Sequence, residues 1–381
     1  MRIAVFSESY TPIINGVSIA INILRREMER RGHEVFVFAP RYPGYTDPVD
    51  GVFRFPSRVT AAARDYPLPL PYAPDLRRRF QALRIDIVHT QTPFLLGILG
   101  AKWARAAGIP VVTTNHTLYP EYAHYVKFVP NRFARAATVW HMKRYYSACD
   151  GIVAPSAIVE TILRGYGIKT PVEVIRTGID APPQRRSREE VRITHGIPKD
   201  APLLVYTGRI AKEKNLGLLI RSFESIRQRI AGVRLLVVGG GPTLEELKAD
   251  IGARGLSGDV ILTGMVPHED TWDMNRAADL FVFPSVTETQ GLVICEALSV
   301  GLVCVAVNAG GAPEALQDGM NGSLAPNDAD AFASAVCNLL SDDSMRNQMA
   351  KKAVELSDRF STTNMAKRYE QFYSSYIRRD E

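Results

Sequence analysis

The stretch Leu280-Phe281-Val282-Phe283-Pro284-Ser285-Val286-Thr287-Glu288-Thr289-Gln290-Gly291-Leu292-Val293-Ile294-Cys295-Glu296 joins an apolar run to a polar turn and then to a second apolar run. The first run reads as a buried strand, Gln290-Gly291 as a turn, and Leu292 onward as a helix. A strand, a glycine loop and a helix are how an α/β sheet presents a site at its carboxyl edge. The helix start offers free N–H groups and a positive dipole end to an anion such as a diphosphate. Glu288 precedes the turn and is expected to face outward. Glu296, with seven residues between it and Glu288, falls about one and a half turns into the helix, where it can accept hydrogen bonds from a diol. One segment thus suits a phosphate and two hydroxyl-rich groups, the parts of a nucleotide sugar.

The same alternation runs through the rest of the chain. Upstream, Ile3–Ser7, Glu34–Ala39, Asp86–His89, Val111–Thr114, Gly151–Ala154 and Val172–Ile175 read as strands, with helical periodicity over Val17–Arg31 and at about 96–107. Residues 41–75, rich in Pro, Gly and Tyr, read as a long loop or a set of short edge pieces. A linker around Ala181-Pro182-Pro183 is followed by Leu203–Thr207, Arg234–Val238, Val260–Thr263, Leu280–Pro284 and Val303–Val307. This alternation predicts two doubly wound, parallel Rossmann-like domains, residues 1–180 and 181–359. A charged helix near 360–381 is placed to return to the first domain.

Several further clusters carry chemistry. Gly208-Arg209 ends a buried strand, and Lys214 lies five residues on, at a helix start. A fork-shaped cation and a point cation suit the growing charge of a diphosphate leaving group. Gly239-Gly240-Gly241 at a strand end permits close backbone approach, to a ligand or within a turn. Asn15-Gly16 occupies the first strand-to-helix turn, without a GxGxxG fingerprint. His116 ends another strand and is expected to face a cleft. Helix-forming residues 131–146 place Phe133, Trp140 and Tyr145 beside Arg132, Arg135, Lys143 and Arg144, either an interfacial helix or a core-packing one. Leu68–Phe80 also mixes apolar and basic residues.

Length and composition set the frame. A chain of 381 residues exceeds one ordinary core, and 46% hydrophobic with 23% charged residues is a globular balance. Residues 1–180 carry 23 Lys and Arg against 14 Asp and Glu, while the rest carries 23 against 26. The basic first half suits an anionic surface. No helix-turn-helix or RNA-binding signature supports nucleic acid. Met1 leads directly into a strand pattern with no signal-peptide core, and Cys149, Cys295, Cys304 and Cys337 show no metal spacing. A reduced, cytoplasmic chain with buried cysteines is expected.

Taken together, Glu288-x7-Glu296, Gly208-Arg209 with Lys214-Asn215, the Val238–Pro242 glycine run and Asn15-Gly16 resemble the retaining glycosyltransferases of family four, with the GT-B fold. The resemblance implies two Rossmann-like domains facing a central cleft, with a nucleotide-sugar donor on the second and an acceptor on the first. It implies no resident cofactor or metal, although Mg²⁺ stimulation is compatible with it. It also implies roles: Arg209 and Lys214 for the diphosphate, Glu288 for the sugar hydroxyls with the N–H groups of Gly291, Leu292 and Val293, and Glu296 for the ribose. Gly16 and Gly241 would approach the donor, and His116 would lie beside the sugar. Residues 115–125 (Asn-His-Thr-Leu-Tyr-Pro-Glu-Tyr-Ala-His-Tyr) and 287–291 further resemble bacterial 1,2-diacylglycerol 3-alpha-glucosyltransferases. That subfamily implies UDP-glucose as donor, a lipid hydroxyl as acceptor, and peripheral attachment to the inner face of the cell membrane. A soluble sugar, inositol or another lipid stays open as acceptor, as does a GT-B epimerase. Val303 and Arg176 stand where the family usually has proline, at structural turns.

Overall fold

The computed structural model describes residues 1–60, 63–121 and 130–377. Tyr122 to Tyr125 of the 115–125 motif, and residues 378–381 of the expected terminal helix, lie outside them. The chain divides into two compact units, Met1–Gly178 with Thr362–Glu381, and Ile179–Ser361.

The strands of the first unit are β1 (Arg2–Phe6), β2 (Glu34–Pro40), β3 (Val52–Phe55), β4 (Ser57–Thr60), β5 (Ala63–Pro69), β6 (Ile87–Thr90), β7 (Val111–Thr114), β8 (Gly151–Ala154) and β9 (Val172–Val174). Seven form one sheet in the order β3-β2-β1-β6-β7-β8-β9, and β4 and β5 pair separately. Every pairing in the large sheet is parallel. A parallel sheet is covered on both faces, which is why its strands are continuously apolar and not alternating. On one face Phe6 stacks on Phe38 at 4.6 Å and meets Trp103 edge-on at 5.8 Å. On the other, the helix Gly16–Arg30 and the C-terminal helix Thr362–Ser374 supply Ile21, Leu24, Met28, Met365, Tyr369, Phe372 and Tyr373. The C-terminal helix is also tied by polar contacts. His89 Nδ1 lies 2.7 Å from the Tyr373 hydroxyl and His89 Nε2 2.7 Å from Thr114 Oγ1. Burial holds that imidazole neutral, its pKa pushed down to about 3. Glu370 meets Arg31, and its other oxygen lies 2.7 Å from His33 Nε2.

The second unit contains β10 (Leu203–Thr207), β11 (Arg234–Val238), β12 (Val260–Gly264), β13 (Leu280–Phe283), β14 (Cys304–Val307) and β15 (Gly322–Ala325). Their order is β12-β11-β10-β13-β14-β15, again parallel throughout. Both units are Rossmann-like α/β folds.

Local differences from the sequence reading have physical causes. Residues 41–75 contribute β3 to the sheet edge, where Phe55 is fully buried although no period marks the segment. β15, Gly-Ser-Leu-Ala, has too little β-branched character to announce a strand, and its pairing with β14 creates it. All four cysteines are free and buried, and burial pushes the Cys149 thiol up to about 12. Val303 is buried at the entrance of β14 and accepts the Phe281 N–H through its carbonyl.

Candidate functional site

Each sheet reverses its direction of growth once. In the first unit the chain builds outward from β1 to β3 and then returns to place β6 on the other side of β1. In the second unit the reversal lies between β10 and β13. The loops leaving such a pair diverge, and the gap at their carboxyl ends is where open α/β sheets bind ligands.

In the second unit the loop after β10 carries Arg209 and Lys214, and the loop after β13 carries Glu288 and Gly291. Lys214 ends a 3₁₀ turn, Lys212–Lys214, and Asn215 follows in the left-handed conformation at φ 56°. Asn215 Nδ2 donates to the Pro284 carbonyl at 3.1 Å and to Asn327 Oδ1 at 2.9 Å, which locks the first loop to the second. The Lys214 ammonium is ion-paired with Glu288, whose Oε1 also accepts from Ser285 Oγ at 3.1 Å. Arg209 is exposed. Its carbonyl accepts the Tyr206 hydroxyl at 3.0 Å, so the end of β10 is braced from the core.

Glu288 is also held from β14. The Gly311 N–H donates to the Glu288 carbonyl at 2.8 Å. A Cβ on Gly310 would lie 2.8 Å from the Glu288 backbone, and one on Gly311 would lie 2.7 Å from the Thr289 carbonyl. Only glycine permits this approach, and Gly310-Gly311 at a strand end was a legible signal that the sequence reading did not use. Gly291, at φ 73°, starts the helix Leu292–Ser299 without a side-chain cap. The N–H groups of Leu292 and Val293 precede the first intrahelical bonds, the arrangement an anion needs.

Glu296 is buried inside that helix, and its Oε1 lies 2.8 Å from His268 Nε2. His268 was missed because its partner stands 28 residues away. Burial alone would depress the His268 pKa, but the hydrogen bond and charge of Glu296 outweigh it and leave the pKa raised above 6.5. The imidazolium pair therefore contributes stability that is complete below about 6.5 and is lost as pH rises through the raised folded value. Glu296→Gln should remove that pH-dependent component, seen as a flatter urea midpoint between about pH 6 and about pH 9. An unchanged pH profile would rule the pair out as its source.

The glycine run lets two strand ends approach closely. A Cβ on Gly239 would lie 2.0 Å from the Gly208 carbonyl, and one on Gly241 would lie 2.1 Å from that of Ile210. The close approach is between the ends of β10 and β11.

In the first unit, Gly16 opens its helix behind Asn15, whose side chain accepts from the Ser18 N–H in a capping box and donates to Ser9 Oγ at 2.7 Å. His116 is half-buried beyond β7, and its Nε2 donates to Gln91 Oε1 at 2.6 Å. Burial lowers its pKa to about 4, so the ring is neutral at physiological pH. Gly16 and His116 belong to the first unit and the other eight candidates to the second. Sequence reading also passed over Glu8, in the loop after β1. Its Oε1 accepts the Leu96 N–H at 2.6 Å. Burial raises its pKa to about 7 against the opposing pull of backbone N–H groups.

Among the described residues no group of three or more His, Cys, Asp or Glu is placed to hold a metal ion, and no helix is long and apolar enough to cross a membrane. In the helix Asn131–Tyr146 the aromatic group Phe133, Trp140 and Tyr145 divides between two faces. Met142, Tyr145 and Tyr146 are buried, while Phe133 and Trp140 are 56% and 64% exposed. Arg132 and Arg144 lie over those two rings.

Comparison with known proteins bears on the family and the fold. Residues 14–181 match the family profile described as Glycosyltransferase Family 4, and residues 187–356 match Glycosyl transferases group 1. The chain is 32% identical to the alpha-monoglucosyldiacylglycerol synthase of Streptococcus pneumoniae, over 99% of this chain and 86% of the relative. It is 31% identical to a GDP-mannose-dependent alpha-mannosyltransferase of Mycobacterium tuberculosis, over 86% and 84%. The crystal structure of Anabaena HepE in complex with UDP and glucose superposes with a TM-score of 0.81 at 20% identity, covering 98% of this chain and 100% of that one. With family profiles matching both halves of the chain and a relative 32% identical over 99% of it, the chain belongs to the family-four glycosyltransferases, hexosyltransferases of the GT-B fold.

Proposed function

We propose that this hexosyltransferase moves glucose from UDP-glucose to a lipid hydroxyl such as that of diacylglycerol, with retention at the anomeric carbon. The observation that carries the donor chemistry is the Lys214–Glu288 pair, held at the β10/β13 switch beside the Arg209 loop and the helix start at Gly291. In this reading Arg209 and Lys214 hold the diphosphate, and the N–H groups of Gly291, Leu292 and Val293 assist. Glu288 accepts from sugar hydroxyls and Glu296 from the ribose. Gly241 allows the donor close to the backbone of the second unit. The bond from the anomeric carbon to the diphosphate breaks as the bond to the acceptor oxygen forms on the same face. The acceptor's proton passes to the leaving diphosphate. This reading requires no resident cofactor and is compatible with stimulation by Mg²⁺.

The lipid acceptor is supported by the synthase named above and by the surface of the first unit. Phe133 and Trp140, with their arginines, are exposed, and so, elsewhere on the unit, are Leu68 and Tyr72, at 51% and 84%. Apolar side chains among cations suit the headgroup region of an anionic bilayer, each cation contributing about 1 kcal/mol. The enzyme would then work peripherally, on the cytoplasmic face of the membrane.

The test is nucleotide release from UDP-glucose, with and without vesicles of diacylglycerol and an anionic lipid. Diacylglycerol-stimulated release with a new glycolipid is the expected result. Release without stimulation would move the acceptor to a soluble sugar, inositol or another lipid. No release would overturn UDP-glucose as donor and direct a panel of other nucleotide sugars, GDP-mannose first.

A further inference from the structure

The His268–Glu296 pair joins two helices whose strands are not neighbours. His268 is the first residue of the helix His268–Ala277, which follows β12, and Glu296 lies within the helix Leu292–Ser299, which follows β13. In the sheet, β11 and β10 stand between those two strands. His268 is firmly placed. The Thr271 hydroxyl donates to its carbonyl at 2.6 Å, and the buried Trp272 meets its ring edge-on at 6.1 Å. Farther along the same helix the buried Asp273 accepts the backbone N–H groups of Arg185 and Arg186 at 3.2 and 3.1 Å. The imidazole is therefore carried on an anchored element, in contrast to a mobile surface group.

Glu296 holds its two oxygens in unlike situations. Oε1 lies 2.8 Å from His268 Nε2. Oε2 has no hydrogen-bond partner among the described residues, and it is not sealed from solvent. Facing a carboxylate, which only accepts, Nε2 carries its proton in the charged and the neutral ring alike. The charged groups that act on the ring are Glu296 and Glu269, and Glu269 is itself held by Arg185 at 2.6 Å. Among the described residues no Lys or Arg pairs with Glu296, so His268 is its one charged partner there. The terminal torsion of a glutamate is broad and roughly two-fold. A fixed donor on one oxygen removes that freedom and leaves the other aimed in one direction. An acceptor aimed in this way suits a hydroxyl pair on adjacent carbons. A site built to bond a hydroxyl rejects the analogue that lacks it, because its own polar group is then left unpaired.

We propose that His268 is a positioning residue that makes the donor site selective for ribonucleotides over 2′-deoxyribonucleotides, by holding Glu296 with Oε2 toward the ribose diol. The proposal rests on the reading that Glu296 meets the ribose. It does not depend on the base, the transferred sugar or the acceptor. His268 acts through the carboxylate and needs no contact with the donor. Without its N–H, the carboxylate turns freely, and the 2′-hydroxyl loses the acceptor that was aimed at it.

The experiment is calorimetric binding of two nucleotide pairs to the full chain: UDP with 2′-deoxy-UDP, and GDP with 2′-deoxy-GDP. The native protein is compared with His268→Ala, His268→Phe, His268→Gln and Glu296→Ala. His268→Phe keeps a ring beside Trp272 without the donor, and His268→Gln keeps a side-chain N–H. In the better-bound pair the native protein should favour the ribonucleotide about tenfold. His268→Ala and His268→Phe should narrow that ratio to within about twofold, by weakening the ribonucleotide, while His268→Gln should keep at least about fivefold. A histidine that only stabilised the fold would weaken both members of a pair alike. Equal binding within each pair by the native protein, or binding of neither pair, would overturn the ribose reading and the proposal with it. A ratio lost in Glu296→Ala but kept in His268→Ala and His268→Phe would leave that reading standing and overturn the proposal. So would a ratio lost as fully in His268→Gln as in His268→Ala. If His268→Ala does not fold, His268→Phe decides, and failure of both to fold would assign the pair to stability and overturn the proposal.

Discussion

Alanine at Lys214 should lower turnover by about 10²–10³-fold, and alanine at Arg209 by a similar factor, with little change in donor KM. The leaving diphosphate gains charge as the glycosidic bond breaks, and a fixed cation acts on that gain more than on the bound donor. Lys214 is fixed: the 3₁₀ turn, the left-handed Asn215 and its two hydrogen bonds leave the ammonium little freedom. It is also paired with Glu288, so Lys214→Ala leaves a carboxylate only 13% exposed without its partner. Breaking a partly buried pair from one side destabilises. The double variant Lys214→Ala/Glu288→Gln separates the two effects. Melting temperature should recover in the double variant while turnover stays low. Near-normal turnover in either single variant would remove that cation from the mechanism.

The second large effect concerns the C-terminal helix. Ending the chain after Ser361 should abolish cooperative folding of the first unit while Ile179–Ser361 stays folded. The truncation uncovers Met365, Tyr369, Phe372 and Tyr373, all under 9% exposed. At about 1.5–3 kcal/mol for each buried large apolar side chain, the loss rivals the whole stability of an ordinary domain, about 5–15 kcal/mol. It also removes the Tyr373 hydroxyl from His89 Nδ1 and opens the buried surroundings that keep this imidazole neutral. Limited proteolysis should then cut residues 1–178 rapidly and spare 179–361. Equal protection of both segments would show that the helix is dispensable. Tyr373→Phe, which keeps the ring, should cost only about 1–3 kcal/mol.

How much of this was legible follows from the range of each cause. Apolar runs such as Leu203–Thr207 and Leu280–Phe283 announce buried parallel strands because both of their faces are covered, so alternation of strand and helix was readable without partners. Glu288, Gly291 and Lys214 were readable because a glycine turn and a cation at a strand end are local signals. The Asn215 lock, the Gly311 hydrogen bond and the His268–Glu296 pair were not, since each joins loops that only the sheet order makes neighbours. The Gly239–Gly241 run carried a signal for close approach without saying to what, and the chain's own backbone at Gly208 and Ile210 is one such neighbour. Glu8 gave no local sign at all, because what distinguishes it is an oxygen without a partner, a property of the folded surroundings.

Because the helix Thr362–Ser374 completes the first unit and the second unit lies between them in the chain, the order of synthesis is not the order of completion. A ribosome delivers residues 1–178 first, yet their sheet waits, one face only partly covered, until some 180 further residues have emerged. The second unit, contiguous in sequence, is able to close before it. Nascent chains of this protein should therefore spend most of their elongation time with the earliest-made apolar surface still open, and chaperone demand should peak there and fall abruptly at the last helix.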